Sequence, residues 1–250
     1  MNGAPRPLYE VRGLTRRYAE LTVLDGLDFE VQAGECLVIL GRSGSGKSVT
    51  LRQLNGLEQP DAGSIRFDGQ QIVGLSEPEL FPLRRRVAML FQSGALFDSM
   101  TVLENVAFPL REHTDLSDRE VRERVAAKLE LVRLPGVEGQ MPSSLSGGMR
   151  KRVALARSLS LDPEVVLFDE PTTGLDPMTS ATIAHLILSI HELGVTCVVV
   201  THDLALTAKV ADRIAFLDGG RFRFIGPWNE AQSSPDERLH AFLTGEEEWK

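Results

Sequence analysis

The sequence of 250 residues contains little cysteine and no long hydrophobic run. Its two cysteines, Cys36 and Cys197, lie in apolar segments, so we expect small core residues and no disulfide framework. No stretch reaches the roughly 18 consecutive apolar residues of a membrane-spanning helix. Residues 1–7 lack the apolar segment of a signal peptide. These absences predict a cytoplasmic protein, in which any membrane role depends on a partner.

Basic residues are also scarce, with 27 Lys+Arg against 35 Asp+Glu and a net charge of −8. An acidic chain argues against a nucleic-acid-binding protein, whose surface is usually basic. The 42% hydrophobic and 25% charged residues are typical of a globular protein, and the chain is long enough to bury a full core. Because we find no repeat, low-complexity tract or long linker, we expect one domain, with or without an inserted subdomain.

Apolar runs and helical patterns alternate along the chain. Four continuously apolar runs are typical of parallel strands buried on both faces: 36–40, 87–91, 165–168 and 196–200. Three shorter, partly alternating runs predict an antiparallel sheet with one solvated face: 8–13, 29–31 and 64–67. Helical patterns cover 46–57, 117–130, 147–160 and 177–193. This alternation predicts an α/β fold with right-handed crossovers, and residues 93–145 are predicted to form a mostly helical insert.

Residues 41–48, Gly-Arg-Ser-Gly-Ser-Gly-Lys-Ser, match the phosphate-binding pattern G-x-x-x-x-G-K-[ST] between an apolar strand and a helix. Glycines let backbone N–H groups point at phosphate oxygens, and the helix N-terminus adds partial positive charge. Lys47 supplies a cation for the β- and γ-phosphates, and the Ser48 hydroxyl is a Mg²⁺ ligand. The nucleotide-binding residues predicted here are Gly41, Arg42, Ser43, Gly44, Ser45, Gly46, Lys47, Ser48 and Val49.

An acidic pair and a second glycine pair complete the predicted chemistry. The apolar run 165–168 leads into Asp169, predicted to hold Mg²⁺ through water at the carboxyl edge of the sheet, and Glu170, predicted to be the general base. Ser146, Gly147 and Gly148 open another helix and form a second anion-binding N-terminus. Since one nucleotide does not need two such sites in one chain, we expect these residues to act on the γ-phosphate bound by another copy.

Residues 145–149, Leu-Ser-Gly-Gly-Met, resemble the signature of the ATP-binding-cassette (ABC) ATPases, although Met149 replaces the commonest glutamine. The resemblance covers about residues 8–225. It implies ATP and Mg²⁺ as cofactors and a closed homodimer with a nucleotide between the copies. It also implies roles for four side chains: Tyr18 stacks on adenine, Gln92 senses Mg²⁺ and the transporter, Asp176 belongs to the D-loop, and His202 contacts the γ-phosphate.

The same resemblance implies the architecture of a P-loop NTPase. A RecA-like parallel core with an antiparallel β subdomain would comprise about 8–91 and 158–225. An inserted helical signature subdomain would comprise about 93–157, followed by a C-terminal tail, 226–250.

Residues 91–98 and 100–114, with 193–200, resemble the ATPase subunit of Mla-type (MCE-associated) phospholipid transporters. This resemblance implies phospholipid transport for outer-membrane lipid asymmetry at the cytoplasmic side of the inner membrane. The implied partners are a membrane permease, an MCE lipid-binding protein and a STAS-domain protein, with no nucleic acid. Leu96 and Phe97 either pack in the core or line an exposed apolar groove that would receive an amphipathic permease helix.

Other functions fit the sequence less well. A soluble ABC ATPase acting on ribosomes or DNA usually has two cassettes or a long coiled-coil insert, and no heptad pattern occurs between Gln92 and Ser146. A P-loop kinase or GTPase has no use for the signature, whereas an ABC transporter for another substrate remains open. The basic run 150–152 is predicted to be mostly surface.

The tail contains a predicted amphipathic helix, 236–243, with Leu239, Phe242 and Leu243 on one face. Such a short helix needs a surface to pack on. That surface is either the same chain's sheet domain, which we favour, or a second subunit. Residues 246–250 are predicted to be a solvated end.

Overall fold

A computed structural model describes residues 7–246. Its strands are β1 (Tyr9–Tyr18), β2 (Leu21–Val31), β3 (Cys36–Leu40), β4 (Ala62–Phe67), β5 (Gln70–Gln71), β6 (Val87–Leu90), β7 (Val165–Asp169), β8 (Thr196–Thr201), β9 (Arg213–Asp218) and β10 (Arg221–Pro227). Its α-helices are α1 (Lys47–Leu54), α2 (Glu77–Arg86), α3 (Val102–His113), α4 (Asp118–Leu131), α5 (Gly147–Ser158), α6 (Pro177–Glu192), α7 (Leu204–Val210), α8 (Trp228–Ala231) and α9 (Glu237–Thr244). Residues 1–6 and 247–250, which include most of the predicted solvated end, lie outside the described part.

The strands form two sheets, as the sequence predicts. The larger sheet has the order β10-β9-β3-β8-β7-β6, and its strands are parallel except for the antiparallel β9–β10 pair. The smaller sheet, β2-β1-β4-β5, is antiparallel. The α/β prediction is confirmed. The sequence patterns did not identify β9 and β10, which are joined at Gly219 and Gly220, although two glycines between apolar runs are a hairpin signal.

The parallel sheet separates two hydrophobic cores because successive side chains of a strand point to opposite faces. In β3, Cys36, Val38 and Leu40 belong to the core that also contains α3 to α6. Leu37 and Ile39 belong to the other core, with the antiparallel sheet and α1. Burial on both faces explains why this strand is continuously apolar. Cys36 pairs in register with Cys197 of β8, and both thiols are free and buried, as predicted.

The segment between β6 and β7 is helical, which confirms the predicted mostly helical insert. The Thr101 hydroxyl caps α3 by accepting from Glu104 N–H, and the Glu104 carboxylate accepts from Thr101 N–H at 2.7 Å. Ser117 and Glu120 form the same reciprocal cap on α4. Each such pair satisfies two backbone donors that a helix start otherwise leaves free. Buried residues of both helices join the core on one face of the parallel sheet.

The C-terminal helix α9 packs on its own chain, so the favoured prediction is confirmed. Leu239 is fully buried, and Phe242 contacts Phe216 of β9 with ring centroids 5.1 Å apart. Asp236, expected in the first turn, is instead the N-cap, where its carboxylate accepts from Leu239 N–H at 2.9 Å. Among the described helices, including α9, we find none whose length and apolar character would allow it to cross a bilayer.

Candidate nucleotide site

A cavity of about 420 Å³ lies beside the predicted phosphate loop. Five segments far apart in sequence meet there: the β1–β2 hairpin, the phosphate loop with the start of α1, and the residues that follow β6, β7 and β8. The lining residues are Tyr18, Val23, Ser43, Gly44, Gly46, Lys47, Ser48, Val49, Gln92, Glu170, Thr173 and His202. Ten of the predicted site residues are therefore brought to one cavity, and Val23 and Thr173 are additions that no sequence motif singled out.

The phosphate loop is compact and holds its lysine inward. Lys47 Nζ donates to the carbonyl oxygens of Gly41 and Arg42 at 2.8 and 3.0 Å and is only 5% exposed. Ser45 Oγ is buried without a hydrogen-bond partner among the described residues. The Lys47 ammonium group lines the cavity, which suits an anionic ligand.

Gly46 of the phosphate loop must be glycine for two reasons, its backbone conformation and the space around it. Its φ of 103° is in the region that side chains rarely adopt, and an added Cβ would lie 2.7 Å from Leu24 Cδ2 and 3.0 Å from the Val23 carbonyl oxygen. This close approach lets the hairpin that carries Tyr18 pack directly against the loop.

Ser48 and Asp169, both predicted to hold Mg²⁺, are in direct contact. Ser48 Oγ donates to Asp169 Oδ1 at 2.6 Å, although the two residues lie far apart in sequence. Burial raises the pKa of Asp169, and the hydrogen bond from Ser48 opposes that rise. A hydroxyl beside a carboxylate is a donor set that suits Mg²⁺.

Glu170 is held in a sparsely populated backbone conformation, with φ 46°. Its Oε1 lies 3.3 Å from Lys47 Nζ, and its Oε2 lies 2.9 Å from His202 Nδ1. Thr173 Oγ1 and Thr201 Oγ1 also donate to Oε2, at 3.2 and 3.4 Å. The carboxylate is thus placed by neighbours from three segments at the mouth of the phosphate loop.

The signature residues do not line this cavity. Ser146 caps α5 by accepting from Met149 N–H at 3.2 Å, and Ser146 and Gly147 are exposed. A Cβ on Gly148 would lie 2.3 Å from Thr179 Cγ2 of α6, so a second reason for glycine here is close helix packing. Asp176 also lies outside the cavity, as N-cap of α6.

The other predicted loop residues, Gly41, Arg42 and Ser45, do not line the cavity either. Gly41 and Arg42 contribute their carbonyl oxygens to Lys47.

The prediction that the basic run 150–152 is mostly surface is wrong for Lys151, which is buried. Its side chain is 8% exposed, and Nζ donates to the carbonyl oxygens of Pro171 and Thr173 at 3.0 and 2.7 Å. Burial lowers the pKa of Lys151, and the negative charge of Glu170 opposes this. Lys151 therefore ties the signature helix to the loop that follows Glu170.

A groove of about 300 Å³ with a mixed apolar and basic lining lies between α2, α3, α5 and β6. Phe91, predicted to end a buried strand, is instead 38% exposed and lines this groove with Phe81. Leu96 is half-buried against the core, whereas Phe97 is 41% exposed and contacts Phe108. Neither Leu96 nor Phe97 lines the groove. An exposed groove is therefore present beside β6, but its exposed aromatic side chains are Phe81 and Phe91.

Residues 24–173 match the family model described as "ABC transporter". Because the match covers more than half of the chain, the chain belongs to the ABC transporter family, and it is an ABC-type ATPase. A second model, described as "AAA domain, putative AbiEii toxin, Type IV TA system", matches residues 139–208.

Several curated relatives are 42% identical to the chain. The "Intermembrane phospholipid transport system ATP-binding protein MlaF" of Haemophilus influenzae aligns over 96% of this chain and 91% of its own length. The protein of the same name from Escherichia coli strain K12 aligns over 95% and 89%. The "Probable ribonucleotide transport ATP-binding protein mkl" of Mycobacterium leprae aligns over 94% of this chain and 68% of its own length.

Solved structures share the fold. The ATP-binding cassette MJ0796, in a dimeric post-hydrolysis state with ADP and Pi, has a TM-score of 0.81 and 32% identity, covering 88% of this chain and 98% of that one. The cbiO1 protein of Clostridium perfringens, part of the ABC transporter complex cbiONQ, has a TM-score of 0.83 and 30% identity, covering 95% of each chain. The expected P-loop ATPase cassette is therefore confirmed.

Proposed function

We propose that this chain binds ATP in the cavity beside Lys47 and hydrolyses it to power a membrane transporter of phospholipid. The observation that carries the ATPase site is the convergence of Lys47, Glu170 and His202 at one cavity. When ATP binds, Lys47 Nζ releases the carbonyl oxygens of Gly41 and Arg42 and donates to the β- and γ-phosphates instead. Glu170 accepts a proton from the attacking water. His202 orients Glu170 and contacts the γ-phosphate, while Tyr18 stacks on the adenine.

Mg²⁺ fits the same site. The Ser48 hydroxyl, the Asp169 carboxylate and the Gln92 amide are oxygen donors of the kind that this ion prefers, and the first two are already in contact. When bound, Mg²⁺ neutralises charge on the phosphate oxygens. Burial raises the pKa of Asp169, and a cation beside it would favour the ionised carboxylate.

A second copy completes each site. Ser146 and Gly147 form an exposed helix N-terminus outside the cavity of their own chain, so they are free to meet a phosphate bound by a partner copy. The dimeric post-hydrolysis structure of MJ0796 supports this arrangement. Asp176, close to the signature helix through Thr179, would lie at the same interface.

Two variants separate binding from turnover. We expect Lys47→Ala to weaken ATP binding itself because the phosphate cation is removed. Ser146→Arg retains ATP binding but loses turnover because a bulky cation blocks the approach of the second copy. Equal loss of ATP binding in both variants would contradict this division of roles.

Phospholipid is the proposed cargo. The MlaF relatives carry phospholipid transport in their names, and the run 91–98 resembles that subfamily. The mkl protein of Mycobacterium leprae is also 42% identical and is named for ribonucleotide transport, so identity alone does not choose the cargo, but this chain covers 68% of that protein against 91% of the Haemophilus influenzae MlaF. Deletion in a host with an outer membrane should move phospholipid to the outer leaflet and cause detergent sensitivity. A normal outer membrane after clean deletion would favour another cargo.

The partners follow from the same proposal. The chain would sit at the cytoplasmic side of the inner membrane, held by permease subunits, with an MCE lipid-binding protein and a STAS-domain protein in the complex. An amphipathic permease helix would dock in the groove beside Phe81 and Phe91, where exposed aromatic side chains are available as anchors. Residues 93–157 would act as the helical subdomain that carries the signature, and 226–250 as the tail.

Docking can be tested apart from nucleotide chemistry. Phe91→Asp places a charge in the groove and should abolish co-purification with membrane proteins while ATP binding persists. Leu193→Asp is a matched control, because Leu193 is 69% exposed and does not line the groove. Phe97→Asp tests whether the surface extends beyond the groove. Full retention of membrane partners by Phe91→Asp, or co-purification with ribosomes instead, would contradict the proposal.

A further inference from the structure

Tyr18 lies at the end of β1, where the chain turns into β2. The residue is 41% exposed and lines the nucleotide cavity. The Arg16 guanidinium carbon lies 4.7 Å from the centroid of this ring, a cation–π contact that covers part of the side chain. A hairpin tip with so exposed a ring needs an anchor if the ring is to hold one orientation.

Glu58 supplies that anchor. Its carboxylate accepts a hydrogen bond from the Tyr18 hydroxyl. It also accepts from Arg16 Nε at 2.7 Å and from Arg52 Nε at 3.1 Å. The Glu58 side chain is only 15% exposed. Three donors from two separate elements thus converge on one half-buried carboxylate.

The charge of Glu58 is maintained by these contacts. Burial would raise the pKa of this carboxyl, but the hydrogen bonds from Tyr18, Arg52 and Arg16 outweigh burial and lower the pKa. Glu58 is therefore ionised near neutral pH, and hydrogen bonds to an ionised acceptor are the stronger kind.

The network also links the ring to the phosphate loop. Arg52 belongs to α1, the helix that begins with Lys47 and Ser48. Glu58 follows the same helix, and its N–H donates to the Arg52 carbonyl oxygen at 3.3 Å. The contacts of Glu58 thus connect the Tyr18 side chain to the helix that begins with the phosphate-binding groups, although Glu58 does not line the cavity itself.

We propose that Glu58 is a positioning residue for nucleotide-base binding: it fixes the Tyr18 ring so that a base stacks on it while the triphosphate enters the phosphate loop. This inference rests on the proposed function, in which Tyr18 contacts the base. It adds a requirement beyond the phosphate loop and Tyr18. The free energy of base binding then also depends on Glu58, an acidic residue outside the cavity.

The test compares a ligand that has a base with one that has none. Equilibrium binding of ATP and of inorganic tripolyphosphate, both with Mg²⁺, is measured on the full chain and its variants. Glu58→Ala should weaken ATP binding about tenfold, the effect of losing one charged hydrogen bond. Tripolyphosphate binding should stay unchanged. Glu58→Gln keeps an acceptor for the Tyr18 hydroxyl and should recover part of the ATP affinity.

A double-mutant cycle isolates the contact. Tyr18→Phe keeps the ring and removes only the hydroxyl, so the double variant with Glu58→Ala should bind ATP no more weakly than Glu58→Ala alone. Glu30→Gln is the control, because Glu30 pairs with Arg12 on the same two strands away from the cavity.

Two results would overturn the inference while leaving the proposed function standing. One is equal weakening of ATP and tripolyphosphate by Glu58→Ala, which would mean that Glu58 acts on the phosphate loop. The other is additive losses in the double-mutant cycle. If Tyr18→Ala leaves ATP binding unchanged, the role of Tyr18 in the proposed function fails, and the inference fails with it.

Discussion

Replacing Lys151 by methionine would test whether the signature helix and the Glu170 loop are mechanically joined. Methionine is apolar and of similar length, so the change removes the two hydrogen bonds to Pro171 and Thr173 without opening a large cavity. The two buried or half-buried carbonyl oxygens then lose their donor, at about 1–3 kcal/mol each. Relief from burying a charge, which lowers the pKa of Lys151, offsets part of this loss.

We expect a net loss of about 2 kcal/mol in the free energy of unfolding, or about 4–8 °C in Tm for a chain of this size. Arg119→Met is the matched control, since Arg119 is 88% exposed and should change stability by less than about 0.5 kcal/mol. Lys151→Arg, which keeps donors, should lie between the two.

The activity readout separates a mechanical link from simple stabilisation. Thr173, whose carbonyl oxygen binds Lys151, also donates through its hydroxyl to Glu170 Oε2. At a temperature where Lys151→Met is fully folded, kcat for ATP hydrolysis should fall while ATP binding is retained. Differential scanning calorimetry and phosphate release measure the two effects. If Lys151→Met unfolds and hydrolyses like the unmodified chain, the link does not exist.

Two further predictions concern packing. Gly148→Ala places a methyl group against Thr179, so Tm should fall. Adding Thr179→Ser removes the contacting methyl group and should restore Tm. If this second change does not restore Tm, close helix packing is not the reason for glycine at position 148. Leu239→Ala should lower the free energy of unfolding of the isolated chain by about 2–5 kcal/mol, because Leu239 is fully buried. His240→Ala, at an exposed position, should change it very little in the same chemical denaturation experiment. Equal effects of the two changes would mean that α9 does not pack on its own sheet.

The strands that separate the two cores were predictable because burial on both faces leaves an uninterrupted apolar run, as in β3 and β7. The strand β10 was not, because residues 221–225 alternate between exposed and half-buried along a sheet edge. The phosphate loop was predictable because all of its groups are local in sequence.

Lys151 and Glu58 were not predictable for the opposite reason. A basic residue in the run 150–152 has no sequence mark of burial, and its partners lie in the loop after β7. Glu58 follows α1 as a single acidic residue, and only the fold brings the Tyr18 hydroxyl to it. Their roles depend on contacts between distant segments, which periodicity and motif spacing do not encode.

We propose that each nucleotide-binding site is completed by the signature of a second copy. The most direct measurement is the molar mass of Glu170→Gln by light scattering with ATP and Mg²⁺, since loss of the general base should slow hydrolysis about 10²–10⁴-fold and preserve the bound state. We expect twice the mass of one chain with nucleotide and the mass of one chain without it, and we expect added Ser146→Arg to abolish the dimer. A monomer with bound ATP would contradict the claim.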